Sequence, residues 1–223
     1  MRHRADGYSA SVPREKSNVL DRYAMKLMKP VIDRTALEIK NRGYSADQVT
    51  FAGFGLGLFA ALCIGAGFYL FAILPLLASR ALDGLDGAVA RAGVATDRGA
   101  FLDIGLDFLF YGTIPLAFGV ANPDSNALAA ATLLAAFVGT GSSFLAYAII
   151  AEKRGLKSTE YPSKSFYYLG GLAEGTETIV CFLAMCLWPQ HFAVLAYIYA
   201  ALCLITTGTR MLAGWHAFTE PKD

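Results

Sequence analysis

Charged residues are scarce in this chain of 223 residues: Asp, Glu, Lys and Arg make up 17% of it, against about 25% in a typical soluble domain. No charged residue occurs between Gln48 and Ser79. Hydrophobic residues make up 55% of the chain, which excludes an intrinsically disordered protein. The same apolar excess excludes a nucleic-acid-binding protein, whereas the net charge of +1 by itself says little about partners. The composition therefore predicts an integral membrane protein that binds no nucleic acid.

Cysteine is also rare, and no two cysteines have CxxC or other metal-site spacing. All four lie in apolar stretches, so we interpret them as small buried residues, not as a disulfide framework; they are Cys63, Cys181, Cys186 and Cys203. The first 42 residues contain no apolar run. We therefore expect no cleavable signal peptide, and expect the first transmembrane helix to direct the chain to the membrane.

The long uncharged run predicts two helices with a turn between them. Its 32 residues would form one helix of roughly 48 Å, whereas the hydrocarbon core of a bilayer is about 30 Å thick. Gly65-Ala66-Gly67 is the predicted turn. Further breaks, including a predicted turn at Asn122-Pro123-Asp124-Ser125, give six transmembrane helices. They are predicted at about 48–65, 68–91, 99–121, 126–150, 166–188 and 192–218.

Basic residues fall on every second connection between the predicted spans. Ten of the 19 lie before position 43, and the turns after the first, third and fifth spans have none. The positive-inside rule then places both termini in the cytoplasm. We expect a multi-pass protein of the cell inner membrane with its active site on the cytoplasmic side.

Apolar and charged residues alternate ahead of the first span, from Val19 to Asn41. This pattern predicts an amphipathic helix on the inner membrane surface, bent at Pro30; the alternative is a cytosolic helix packed on the bundle. The predicted fold is thus all-α, a six-helix transmembrane bundle preceded by an amphipathic surface helix. The expected divisions are a disordered tail at 1–18, a juxtamembrane helix at 19–43, a six-span domain at 44–218 and a tail at 219–223.

Four aspartates lie within the second and third predicted spans: Asp83, Asp86, Asp103 and Asp107. Each pair lies on one helical face, since its members are three or four residues apart. The two helices are antiparallel, so the four carboxylates should lie at matched depths, roughly 6–12 Å inside the cytoplasmic helix ends. Ionisable groups within spans are costly, and oxygen-only clusters suit Mg²⁺ or Mn²⁺. A pair of such ions would be suited to phosphate chemistry.

The neighbours of these acids are small or basic. Small residues leave a flat face beside the carboxylates and allow helices to approach closely, and two arginines are placed to meet phosphate oxygens. The small residues are Gly84, Gly87, Ala88, Ala90, Gly99 and Gly105; the arginines are Arg91 and Arg98. Arg80 would contact either one Asp or the substrate.

These residues form a pattern: Asp83-Gly84-Leu85-Asp86-Gly87-Ala88-Val89-Ala90-Arg91, followed by Gly99, Asp103 and Asp107. It resembles the signature of the CDP-alcohol phosphotransferases (CDP-alcohol phosphatidyltransferases), D-x2-D-G-x2-A-R-x7/8-G-x3-D-x3-D, at all eight fixed positions. The predicted spans and the helix before them also resemble this family, over about residues 20–218.

The resemblance implies a membrane enzyme that transfers a substituted phosphate from a CDP-linked donor to an alcohol and releases CMP. It implies that Asp83, Asp86, Asp103 and Asp107 surround two divalent cations, and that Asp107 is also the general base. Gly87, Ala90 and Arg91 would face the cytidine and its phosphates, and Thr50 would belong to the same binding set. Of the family's Pro-Asn-x-x-Thr segment, only Thr50 is kept; Ala46 and Asp47 replace the first two residues. The resemblance also implies a homodimer.

The resemblance leaves more than one donor and more than one acceptor open. CDP-diacylglycerol is the expected donor, and a small polar alcohol, with glycerol 3-phosphate placed first, the expected acceptor. Serine, inositol phosphate and choline are alternatives, as is transfer from CDP-choline or CDP-ethanolamine to diacylglycerol. A cation transporter is a different class, disfavoured because the outer halves of the two acidic helices are almost wholly apolar. Glu174, Glu177 and Arg210 would either bind the acceptor or pair between helices.

Overall fold

The computed structural model describes residues 19–155 and 175–219, and within them the chain is all-helical, without strands. A short 3₁₀ turn at Pro189–His191 precedes the last helix. The seven α-helices are α1 Val19–Asn41, α2 Ala46–Gly65, α3 Tyr69–Ala92, α4 Asp97–Ala121, α5 Pro123–Lys153, α6 Gly175–Leu187 and α7 Phe192–Ala217. The expected disordered tail at 1–18, the start of the predicted fifth span at 166–174 and residues 220–223 lie outside the described ranges.

Local sequence signals set the helix starts. Ser45 caps α2 in a capping box with Gln48, and the Thr96 hydroxyl accepts from the Gly99 amide at the start of α4. The predicted turn after α2 is confirmed, with Gly67 at φ +83°, a backbone region that glycine adopts without a steric penalty.

The predicted turn at Asn122-Pro123-Asp124-Ser125 is wrong in extent. Only Asn122 lies between α4 and α5, and the other three residues form the first turn of α5. Pro123 takes the first helical position, where its missing amide hydrogen costs no hydrogen bond, and Asp124 lies at the positive end of the helix dipole. The chain therefore reverses direction almost without a loop.

Four of the described helices are long and apolar enough to cross a membrane: Ala46–Gly65, Asp97–Ala121, Pro123–Lys153 and Pro189–Ala217, the last including the 3₁₀ turn. They identify the chain as an integral membrane protein. Helix α3 is long enough, but any 18 consecutive residues within it include Arg80, Asp83 and Asp86. Helix α6 is apolar over its 13 described residues. The six-span count therefore stays a prediction.

A large apolar core joins the transmembrane helices, and a smaller one holds α1 against α3. In the large core, the Phe118 ring stacks between Tyr69 and Phe192, with ring centroids 5.5 and 4.6 Å away. In the smaller core, Ala36 of α1 is buried with Ala88 of α3.

Helix α1 therefore packs on the bundle. Lys40 Nζ also donates to the Ala92 carbonyl at the end of α3. Val31 and Leu37 of α1 are exposed. Contact with the membrane surface stays a prediction for α1.

Helix α2 approaches α3 and α4 closely through two glycines that sequence reasoning missed. A methyl group on Gly53 would lie 3.2 Å from Leu82 Cβ, and one on Gly57 would lie 2.6 Å from Phe110 Cδ2. The signal was present, since Gly53 and Gly57 have the small-xxx-small spacing of packed membrane helices. This packing brings α2 against the acidic halves of α3 and α4.

We expect Gly57→Ala to lower the free energy of unfolding by about 1–3 kcal/mol, the usual range for overpacking a core. The added methyl must displace the Phe110 ring, which is fully buried. Thermal unfolding of the purified protein in detergent measures the change. Gly55→Ala is the matched control, because a methyl group on Gly55 meets nothing within 4 Å; equal stability of the two variants would contradict the packing.

Candidate active site

Three of the four predicted aspartates meet across α3 and α4. Asp83, Asp86 and Asp103 each offer a carboxylate oxygen, and these oxygens lie within 4.8 Å of one another. Antiparallel helices with acids at matched depths produce this meeting, as the spacing predicted. Hard divalent cations prefer carboxylate oxygens, so this donor set fits Mg²⁺ or Mn²⁺.

Asp86 is the buried member of the group and is held by α2. Thr50 Oγ1 donates a hydrogen bond to Asp86 Oδ2 at 2.6 Å, and only 8% of the Thr50 surface is exposed. A buried carboxylate needs such a donor, because burial removes its water. Thr50, which the resemblance placed among the nucleotide-binding residues, therefore orients a candidate metal ligand in the structure.

Asp107 lies beside the other three acids but is bound to an arginine. Arg80 Nη1 lies 2.5 Å from Asp107 Oδ1 and 3.5 Å from Asp83 Oδ1. Of the two roles that the sequence left open for Arg80, the structure has it contact Asp side chains. All four predicted acids are therefore linked, three through their mutual proximity and the fourth through Arg80.

Asp83, Asp103 and Asp107 border a narrow pocket between α2, α3 and α4, and open space lies next to Gly84 of α3. The pocket is lined by Thr50, Gly53, Phe54, Arg80, Asp83, Asp103, Leu106 and Asp107. Gly84 and Gly105 have nothing within 4 Å of the place a methyl group would take. Within the described residues Gly105 therefore contacts no neighbouring helix, and the expectation that it allows close helix packing is wrong. It lies roughly 160° around α4 from both Asp103 and Asp107, on the side away from the acids.

The other predicted small and basic residues lie around this open side. Arg91 is exposed and folds back on its own helix, with Nη1 3.3 Å from the position of a Gly87 methyl. Ala90 is half-buried. Ala88 does not face the open side as expected, because it is buried against α1.

An ion pair at the rim joins the start of α2 to the start of α4. Arg98 Nη2 lies 2.6 Å from Asp47 Oδ2. Asp47 also lies close to Gly99, since a methyl group added at Gly99 would be 3.3 Å from Asp47 Oδ1. Sequence reasoning considered Arg98 only as a phosphate contact and missed this pair. Asp47 stands where the family pattern has Asn, and its added charge is what Arg98 contacts.

The polar residues of α5 and α7 lie apart from the pocket-lining set. Arg210 donates to the Thr140 carbonyl at 3.3 Å, and its guanidinium lies 5.7 Å from the Phe144 ring centroid. Glu177 lies in the first turn of α6, and Glu174 lies outside the described residues. Helix α5 packs closely on α4 at Gly141, where an added methyl group would run into the Phe108 ring.

Comparisons with known proteins identify the family of this chain. The family model for CDP-alcohol phosphatidyltransferases matches residues 44–209. The inner membrane protein YnjF of Escherichia coli strain K12 is 48% identical over 197 residues, which cover 88% of this chain and 96% of YnjF.

A solved structure shares the fold. It is the phosphatidylinositol phosphate synthase PgsA1 of Mycobacterium tuberculosis, crystallised with CDP-DAG bound. The TM-score is 0.68 at 22% identity, covering 83% of this chain and 94% of that one. With the family match, the close relative and the shared fold, the chain belongs to the CDP-alcohol phosphatidyltransferase family and is a membrane-embedded transferase of phospholipid biosynthesis.

Proposed function

We propose that this protein transfers the phosphatidyl group of CDP-diacylglycerol to the hydroxyl of a small polar alcohol and releases CMP. One observation carries the proposal: three family-signature acids from two membrane helices meet within 4.8 Å, with Asp107 beside them. In the reaction, the alcohol oxygen bonds to the phosphatidyl phosphorus and the bond from that phosphorus to the CMP oxygen breaks. The proton of the alcohol leaves with the base.

The candidate residues divide this work by position. The proposed ligands of two divalent cations are Asp83, Asp86, Asp103 and Asp107. When bound, these cations would neutralise the charge of the pyrophosphate. Asp107 is the proposed general base, because it lines the pocket next to the acid group, where its carboxylate accepts a hydrogen bond from Arg80. Thr50 fixes Asp86.

Gly87, Ala90 and Arg91 are the proposed contacts of the cytidine diphosphate. They follow the acids along α3 toward its end, where Arg91 is exposed. An exposed guanidinium beside an open glycine face suits a phosphate oxygen, since guanidinium groups bind phosphate through paired donors. The open space next to Gly84, on the same helix as Arg91, supports entry of the donor from this side.

We place both termini and this site on the cytoplasmic side of the inner membrane. The alternation of basic residues supports the orientation, and the relative YnjF is named an inner membrane protein. A site near cytoplasmic helix ends would meet a water-soluble nucleotide while the diacylglycerol tails stay in the bilayer. The proposed functional unit is a homodimer, on family resemblance.

The proposed acceptor is a small alcohol, with glycerol 3-phosphate first. The structural neighbour PgsA1 is named for a phosphorylated product class, phosphatidylinositol phosphate. In this chain Phe108 follows Asp107 and packs against Gly141 of α5. Because Phe108 carries no charge, an acceptor phosphate must be bound by arginines or lysines at other positions.

The test is CMP release from labelled CDP-diacylglycerol by the purified protein in lipid, with glycerol 3-phosphate, serine, inositol phosphate and choline supplied separately. We expect release that depends on one of these alcohols, and a labelled lipid product of matching mass. CDP-choline and CDP-ethanolamine with diacylglycerol form the comparison arm. Release with that pair alone would overturn the proposed donor, and metal flux into liposomes without any transfer would favour a transporter.

A further inference from the structure

Arg80 is a positive charge built into the acid cluster. It lies on α3 one turn before Asp83, and its Nη1 sits between Asp107 Oδ1 at 2.5 Å and Asp83 Oδ1 at 3.5 Å. It lines the same pocket as Thr50 and Asp103. Two proposed metal ligands therefore already have a cation against them.

The surroundings hold this guanidinium in place. The Arg80 side chain is only 13% exposed, and its guanidinium carbon lies 3.7 Å from the centroid of the buried Phe110 ring. Its Nη2 donates to Ser79 Oγ at 3.2 Å. The Phe110 ring is itself fixed by close contact with Gly57. Arg80 is thus positioned by packing as well as by charge.

One polar atom of Arg80 is left without a hydrogen bond. Within the described residues, its Nε is the buried side-chain nitrogen or oxygen atom with no partner. Leaving a buried donor unsatisfied is unfavourable, so this pose does not satisfy every group of Arg80. A competitor that takes Asp107 and Asp83 would let the guanidinium adopt another arrangement.

The four acids divide into a group of three and a fourth that is bound to Arg80. The three carboxylates that come together as a ligand group are Asp83, Asp86 and Asp103. Asp107, the fourth, carries the shorter of the two Arg80 contacts. A guanidinium and a divalent cation on the same carboxylate oxygens repel each other strongly in a partly buried site.

We propose that Arg80 competes with the second divalent cation for Asp107 and Asp83, so that the two cations bind in sequence. The first would bind Asp83, Asp86 and Asp103, and the second would bind only as Arg80 releases Asp107. This inference rests on the proposed two-cation site. It assigns to Arg80 the role of a positioning residue that keeps Asp107 occupied until the site is loaded.

The test is a titration of the purified full chain in detergent with Mn²⁺, in which electron paramagnetic resonance measures the bound ion. It compares the wild type with Arg80→Met and Arg42→Met. Arg42 is the matched control, because it also contacts a carboxylate at 2.5 Å, that of Glu38, but on the surface. We expect wild type to bind a first ion tightly and a second ion weakly. Arg80→Met should bind the second ion at least about tenfold more tightly than wild type, the scale of one lost charge-assisted hydrogen bond. Arg42→Met should match wild type.

Thermal unfolding covers the case in which Arg80→Met is unstable without metal. Removing the arginine leaves Asp107 and Asp83 without this cation, so the metal-free variant should unfold at a lower temperature than wild type. Mn²⁺ in excess should raise its unfolding temperature by more than it raises that of wild type, since the stabilisation by a bound ligand increases with the ligand's affinity for the folded state.

The outcomes separate this inference from the proposed function. If wild type binds Mn²⁺ but Arg80→Met leaves the second ion's affinity and the Mn²⁺ stabilisation unchanged, the competition is wrong and the metal site stands. If wild type binds no Mn²⁺, the metal site falls and the competition falls with it.

Discussion

Replacing Asp107 by Asn will lower the rate of CMP release by about 10²–10⁴-fold, the usual contribution of a general base. The amide has nearly the same shape as the carboxylate, but it accepts no proton from the alcohol. It still offers an oxygen to Arg80, so the hydrogen bond that now joins the two side chains at 2.5 Å has a replacement. The variant should therefore stay folded, and the assay is CMP release under donor saturation.

The matched control for this variant is Asp97→Asn. Asp97 is exposed in the first turn of the same helix, α4, and does not line the pocket. It should keep the wild-type rate. Unimpaired turnover in Asp107→Asn would refute the role of Asp107 as base, and a similar loss in both variants would point to damage of α4 instead.

Removing divalent cations will stop the reaction completely. The carboxylates of Asp83, Asp86 and Asp103 lie within 4.8 Å of one another and concentrate negative charge at the site. Without added cations the site would repel a pyrophosphate, because both are negatively charged. Activity should vanish in excess EDTA and return when Mg²⁺ or Mn²⁺ is added beyond the chelator.

Two additions make this experiment specific. The unfolding temperature measured in parallel shows whether EDTA acts on the site or on the fold. Adding Ca²⁺ in place of Mg²⁺ tests the geometry, since Ca²⁺ prefers more ligands at longer distances. Full activity in EDTA would rule out the metal assignment for this enzyme.

The site was predictable to the extent that it depends on spacing along one helix. Asp83 and Asp86, three residues apart, share a face, and a short connection between two helices fixes the depth of Asp103 opposite them. The turn at Gly67 followed from bilayer thickness and the permissive backbone of glycine. These features need no knowledge of the third dimension beyond helix geometry.

What the sequence did not predict depends on contacts between distant helices. Asp47 and Arg98 are 51 residues apart, and their pairing requires α2 and α4 to start at the same level. The Gly57 contact with Phe110 depends on how α2 and α4 are rotated about their axes. Arg80 lies closer to Asp107 than to Asp83, and this position likewise depends on the packing of its guanidinium against Phe110.

The most direct test of the central claim is Mn²⁺ binding to wild type and to Asp103→Asn, with Asp97→Asn as the control on the same helix. The claim is that acids from α3 and α4 together hold a divalent cation at the reaction site. We predict that Asp103→Asn binds Mn²⁺ at least about tenfold more weakly and loses transfer activity, while Asp97→Asn matches wild type. Equal Mn²⁺ affinity in wild type and Asp103→Asn would contradict the account.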